Sequence, residues 1–209
     1  HAVRGPYSPD ATGAGHRALR NGVLTLLAAR DTAADRQRLL QHFRRAGNMT
    51  DEAHALYLIA ASRLPERDEV LAGFHDRWKD DHLVIDTWFA AQAIAPDPHT
   101  LDRIRELMQH PLFAMTAPNK VRALIGSFAG GNPSQFNRVD AEGYRFVAEQ
   151  VLAIEKFNPQ VAARLLNAFR SWRALEPERR KLARRVLQGL AKTEGLSRDV
   201  FEIASKMIE

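Results

Sequence analysis

The 209-residue sequence predicts an all-α fold, an irregular α-superhelix built as a solenoid-like stack of antiparallel helix pairs. Three observations predict it. Apolar residues recur at three- and four-residue spacing along almost the whole chain, the pattern of helices with one buried face. Runs of alternating β-branched residues are missing, so strands have no sequence to occupy. Successive pairs of periodic segments occupy roughly 30 to 40 residues and are joined by short connections, the period range of helical-repeat arrays. No residue pattern repeats from pair to pair, which makes the expected stack irregular. The texture is the same on both sides of "HPLFAMTAPN", and the chain reads as a single helical domain over 1–209.

The first expected helix is "GHRALRNGVLTLLAAR", with Leu19, Val23, Leu26 and Leu27 on one face. Asp31 and Thr32 cap the second, "TAADRQRLLQHFRRAG", and Gly47 closes it. Thr50, Asp51 and Glu52 open "EAHALYLIAASRL", which Pro65 stops ahead of "ERDEVLAGFHDRWKD". Asp81 leads into "HLVIDTWFAAQAIA", which ends at Pro96, and "PHTLDRIRELMQH" follows. The segment "KVRALIGSFAGG" is helical and breaks at "GGNPSQFNRVD", the strongest loop signal in the chain. Then come "AEGYRFVAEQVLAIEKF", "PQVAARLLNAFRSWRAL", "PERRKLARRVLQGLAK" and "RDVFEIASKMIE", the last capped by Ser197.

Charge and composition exclude several function classes. The 30 Lys and Arg against 25 Asp and Glu leave a formal charge of +5, with a pI near 9.9. Basic residues concentrate at Arg179, Arg180, Lys181, Arg184, Arg185 and Lys192, interleaved with Val186, Leu187 and Leu190. With no nucleic-acid motif and no array of stacking aromatics, they read as the solvated face of an amphipathic helix, and no nucleic-acid partner is expected. The absence of cysteine removes disulfides, thiolate metal sites and thiol nucleophiles, and suits a reducing cytoplasm. No apolar run approaches the ~18 residues of a membrane span and no signal-peptide layout opens the chain, so no membrane partner is expected. The sequence starts at His1 with no initiator Met, which suggests a piece of a longer polypeptide.

The search for chemistry is mostly negative. The histidines are His1, His16, His42, His54, His75, His82, His99 and His110, and none forms the His-Glu-x-x-His pair that sets two imidazoles on one helical face for zinc. There is no Gly-x-Ser-x-Gly elbow, phosphate loop or dinucleotide fingerprint, and Asp80-Asp81 at a helix junction reads as capping. No catalytic or metal-binding residue is therefore expected in this chain. Two helices carry more. In "PQVAARLLNAFRSW" Val161, Leu165, Ala168, Phe169 and Trp172 form a buried stripe beside a polar one of Gln160, Arg164, Asn167 and Ser171. Asn158-Pro159 starts this helix, and its free N–H groups favour an anionic or carbonyl ligand. In "NKVRALIGSFAGG" Val121, Leu124, Ile125 and Phe128 face the core, while Arg122 shares a stripe with Gly126 and Ala129, where a packing or surface role competes with binding.

The stretches "PYSPDATGAGHRALRN", "HPLFAMTAPNKVRALIGSFAGGNPSQFNRVDAEGYRF" and "NPQVAARL", in that order, resemble the C-terminal part of the bacterial aminopeptidase N family, zinc-dependent alanyl aminopeptidases of the gluzincin type. The resemblance implies a parent enzyme whose zinc ligands, general base and amine-recognising carboxylates belong to earlier domains, outside this chain. It implies that this helical part closes over the catalytic domain of the same polypeptide and restricts an internal cavity to small peptides. Carried over position by position, it gives Arg122, Gln160 and Arg164 as cavity-facing residues that hold the backbone or carboxylate end of peptide substrates. The chain departs from the family at Ala117, Lys120, Asn137 and Ala141, where Asn, Arg, His and Gly respectively are commoner. Periodicity alone equally allows a free-standing α-solenoid that binds proteins on a concave face, with nucleic-acid binding through the basic helix a more distant third.

Overall fold

The computed structural model describes residues 7–209, so His1, and Pro6 at the head of the first family-like stretch, lie outside the described residues. Among the described residues every regular element is helical and no strand occurs, in agreement with the all-α class. The chain divides into two compact units, His1–Ala91 and Gln92–Glu209.

The first unit contains α1 (Ala11–Arg30), α2 (Ala33–Arg44), α3 (Met49–Ala60), α4 (Arg67–Trp78) and most of α5 (Val84–Ala93). Side-chain caps set three of the starts: the Asp10 carboxylate accepts from Gly13 N at 2.6 Å, Thr32 Oγ1 from Asp35 N at 3.2 Å and Asn48 Oδ1 from Asp51 N at 3.0 Å. Thr32 is thus the expected cap, whereas α3 opens at Asn48 instead of Thr50, and α1 begins ahead of Gly15. α1 packs on α2 and α3, α2 on α3, and α3 on α4. The core gathers Leu24, Leu39, Leu56, Ile59 and Phe74, with the Trp88 indole N–H donating to Leu71 O at 2.9 Å.

The apolar face read for α1 is not the buried one. Asn21 and Leu24 are buried, whereas Leu19, Val23 and Leu26 are 61%, 48% and 73% exposed. The buried side is set by packing on α2 and α3, which admits Asn21, and not by the densest apolar stripe.

Asp35 is a fully buried carboxylate in this unit. It accepts from Arg30 Nε and Nη2 at 2.8 and 2.9 Å, from Arg38 Nη1 at 2.8 Å and from Thr32 Oγ1 at 2.6 Å. The Arg30 hydrogen bonds, then that of Thr32, hold its carboxyl well below the usual carboxylate range against the opposing effect of burial. A carboxyl depressed on folding contributes stability above its unfolded pKa of about 3.9 and loses it as pH falls below that value. Asp35→Asn is accordingly expected to lower the melting temperature at pH 7, with the gap to the parent protein narrowing near pH 3. Thermal unfolding at the two pH values checks this.

The second unit contains α6 (Thr100–Leu107), α7 (Pro118–Val121), a π-helical turn (Arg122–Gly126), α8 (Ser127–Gly131), α9 (Pro133–Phe136), α10 (Glu142–Glu155), α11 (Pro159–Leu165), α12 (Pro177–Ala191) and α13 (Arg198–Ile208). Ser197 Oγ accepts from Val200 N at 3.3 Å, so the expected cap of α13 is present. The expected loop "GGNPSQFNRVD" holds one helical turn, α9, because buried Asn132 caps it, accepting from Gln135 N at 3.2 Å, while its amide donates to Ala93 O and Ala95 O. The expected single helix from Pro159 through Leu175 shortens to α11 and passes into 3₁₀ turns at Leu166–Phe169 and Trp172–Ala174. Three-residue winding explains the change: Leu166, Phe169 and Trp172 recur every third residue and all three are buried. Asn167 Nδ2 also takes the Arg164 carbonyl at 3.1 Å, competing with the helical ladder.

Packing here joins α10 to α11 and α12, and α13 to α11 and α12. Its centre is aromatic: Phe136 lies 5.1 Å from both Tyr144 and Phe169 by ring centroids, and Phe128 stacks edge-on to Phe146 at 5.7 Å. Tyr144 donates to Asn137 Oδ1 at 3.0 Å, and burial pushes its phenol up to about 12. Gly143 is a close-approach position, since a Cβ there would sit 2.3 Å from Phe136 O. Ala141 adopts φ 63°, ψ 9°. Left-handed backbone costs a residue with a Cβ about 1–2 kcal/mol. Ala141→Gly is therefore expected to stabilise the protein by about 1 kcal/mol, read as a higher denaturant midpoint at unchanged slope.

Candidate functional site

Gln160 and Arg164 stand one turn apart on α11, whose start is fixed by Asn158 Oδ1 accepting from Val161 N at 3.1 Å with Pro159 in the first turn. The polar stripe of Gln160, Arg164, Asn167 and Ser171 is exposed throughout, while Leu165, Phe169 and Trp172 of the apolar stripe are buried. The expected anion-attracting helix start is not available. Asn158 itself occupies the Val161 N–H, Pro159 has no N–H, and α11 is only 7 residues long.

What α11 does form is a pocket of about 460 Å³ against α13, lined by Gln160, Ala163, Arg164, Asp199, Glu202 and Ile203. Glu202 accepts nothing from Arg164; its carboxylate accepts from Lys206 Nζ at 2.6 Å, and that bond draws its pKa down. The Arg164 guanidinium makes no ion pair among the described residues and keeps its planar donor fork open. An exposed, unpaired guanidinium beside a side-chain amide can take a carboxylate through two parallel N–H bonds, or peptide carbonyls singly.

Arg122 is not among the residues lining that pocket. It opens the π-helical turn, exposed, with Nη2 donating to Asn119 Oδ1 at 3.1 Å. Val121, Leu124, Ile125 and Phe128 are buried as expected, but Ala129 is buried with them and does not share Arg122's exposed face. The room beside Gly126 is partly taken by Arg122's own stem, since a Cβ there would meet Arg122 Cγ at 3.6 Å. A π turn widens the helix by one residue per hydrogen-bonded ring, and such turns concentrate at functional positions.

Sequence reading missed Asp199, Glu202 and Ile203, the α13 side of the pocket. Their spacing of three and four on "RDVFEI" was the available signal, but it does not tell which helix they face. The basic residues of α12 behave as a solvated face: Arg180, Lys181, Arg184 and Arg185 are exposed, and half-buried Arg179 is used internally, donating to Asn137 O at 2.6 Å. His54 Nε2 lies 2.9 Å from Thr25 Oγ1, an ordinary contact between helices α1 and α3. Among the described residues no group of three or more His, Asp or Glu side chains is gathered as metal ligands. No helix among them is long and apolar enough to cross a membrane.

Comparison with known proteins decides the family. A family profile described as a domain of unknown function, DUF3458_C, with ARM repeats, matches residues 1–209. The chain belongs to this family. ARM repeats are stacked helices, in keeping with the solenoid-like class expected from periodicity. The chain is 41% identical to aminopeptidase N of Caulobacter vibrioides over 206 residues, 99% of this chain and 24% of that protein. It is 38% identical to aminopeptidase N of Escherichia coli over 192 residues, 92% of this chain and 22% of the other. A crystal structure of Legionella pneumophila aminopeptidase A in complex with aspartic acid superimposes with a TM-score of 0.87 at 31% identity, covering 99% of this chain and 25% of that one. The chain thus spans about a quarter of the length of the relatives it matches.

Proposed function

We propose that this chain is the carboxy-terminal, non-catalytic helical part of a cytoplasmic zinc-dependent aminopeptidase that releases amino-terminal residues from peptides. In this role it closes over the catalytic domain of the same polypeptide and anchors peptide substrates through Arg122, Gln160 and Arg164. The observation that carries the reading is the match of nearly the whole chain, at 41% identity, to only a quarter of an aminopeptidase N. The open guanidinium and amide of the α11 pocket supply the means of anchoring.

No group of metal-ligating side chains is gathered among the described residues, and the family resemblance assigns the ion to the polypeptide outside this chain. Bound there, zinc supplies activated water. What this chain contributes is position: Arg164 and Gln160 hold acceptor oxygens of the peptide remote from the scissile bond, and fixing that end converts binding energy into alignment of the reacting one. A free-standing protein-binding solenoid is the competing reading, favoured by the ARM-repeat description.

The test is an assay of the complete natural polypeptide that contains these residues. Release of amino-terminal residues from peptides, abolished by a chelator and restored by zinc, is expected. A complete polypeptide with no such activity overturns the proposal and leaves the scaffold reading.

A further inference from the structure

The pocket between α11 and α13 carries more than the two anchoring groups, and its lining sorts by chemistry into three parts. Gln160 and Arg164 of α11 are exposed donors whose side chains have no partner among the described residues. Buried Ala163 and half-buried Ile203 supply an apolar surface, one residue from each helix. Asp199 and Glu202 of α13 bring negative charge to the same space.

The two carboxylates are not equivalent. Glu202 is committed to Lys206 Nζ at 2.6 Å, one turn further along the same helix. Asp199 is exposed, and its side chain makes no hydrogen bond or ion pair among the described residues. It does not cap α13 either, because Ser197 Oγ takes that role. The helix dipole favours a carboxylate in the first turn, but no neighbour neutralises the charge that Asp199 presents to the pocket. Arg164 and Asp199 do not pair with each other, so the pocket offers one free cation and one free anion to the same ligand.

We propose that this pocket selects peptides whose carboxy-terminal residue has a cationic side chain, with Asp199 as the specificity-determining residue. The inference rests on the anchoring role proposed above for Gln160 and Arg164. The terminal carboxylate takes the Arg164 donor fork, the methylene stem of a lysine lies on Ala163 and Ile203, and its ammonium group meets Asp199. The volume of about 460 Å³ leaves room for one such residue. A terminal residue with the same stem and no charge gains only the apolar contact. An acidic one brings a further negative charge against Asp199 and Glu202, and discrimination is the difference between these cases.

The experiment measures kcat/KM of the complete polypeptide at low ionic strength on tetrapeptides that differ only in their last residue: lysine, norleucine or glutamate. Norleucine keeps the lysine stem and lacks the ammonium group. Lysine is expected to exceed norleucine about two- to fivefold, the scale of an exposed ion pair, with glutamate below both. Asp199→Asn should bring lysine down to norleucine and Asp199→Glu should keep part of the preference, while single-residue chromogenic amides stay unchanged in both variants. No lysine preference in the parent protein, or a preference untouched by Asp199→Asn, overturns the inference. Arg164→Ala separates this failure from that of the anchoring role. Loss on all three peptides without dependence on the last residue overturns the selectivity alone, whereas no loss on any of them overturns the anchor and the selectivity together.

Discussion

Replacing Arg164 by alanine in the complete polypeptide is expected to lower kcat/KM for tri- and tetrapeptides roughly 10- to 100-fold. Single-residue chromogenic amides should change by no more than about threefold. The magnitude follows from losing one charge-assisted hydrogen bond, about 1.5–3 kcal/mol. The selectivity follows from reach, since only a peptide extends from the scissile bond to an anchor on α11. Gln160→Ala should follow the same pattern with a smaller loss, about 3- to 10-fold, because a neutral amide contributes about 0.5–1.5 kcal/mol. Arg164 is exposed and unpaired, so its removal leaves no buried charge behind and the fold should be unaffected. Equal losses on peptides and amides, or none on either, would contradict the anchoring role.

Phe136→Ala is expected to cost about 3–5 kcal/mol of stability. Its ring is 4% exposed and touches Tyr144, Phe169 and Phe128 at centroid distances of 5.1, 5.1 and 6.4 Å. Truncation leaves a cavity lined by rigid aromatics that cannot collapse into it. Phe136→Leu should cost less, about 1–2 kcal/mol, because volume is largely kept while the edge-to-face pairs are lost. Denaturant unfolding of both variants measures the difference. A loss below about 1 kcal/mol for the alanine variant would mean that this cluster does not organise the core.

Helical periodicity was sufficient to identify the all-α class, the core faces of "KVRALIGSF" and α11, and the caps at Thr32 and Ser197, because each is a local property of the chain. It failed where packing outside the segment decides. Leu19, Val23 and Leu26 form the better apolar stripe of α1, yet Asn21 and Leu24 are the buried pair. The 3₁₀ winding after Leu165 and the π turn at Arg122 were equally hidden, since both alter the period that the reading assumes. Of the site, Gln160 and Arg164 were legible as a polar stripe, and family resemblance gave that stripe a purpose. Asp199, Glu202 and Ile203 were not legible, because the sequence does not say that α13 lies against α11.

The most direct test of the anchoring claim is a crystal structure of the complete polypeptide with a slowly cleaved tetrapeptide bound. The expected result is peptide oxygens distal to the scissile bond within hydrogen-bonding distance of the Arg164 guanidinium and the Gln160 amide, with Arg122 facing the same enclosed space. A peptide well ordered at the catalytic centre while Arg164 and Gln160 point to bulk solvent, or lie under another part of the protein, would contradict it.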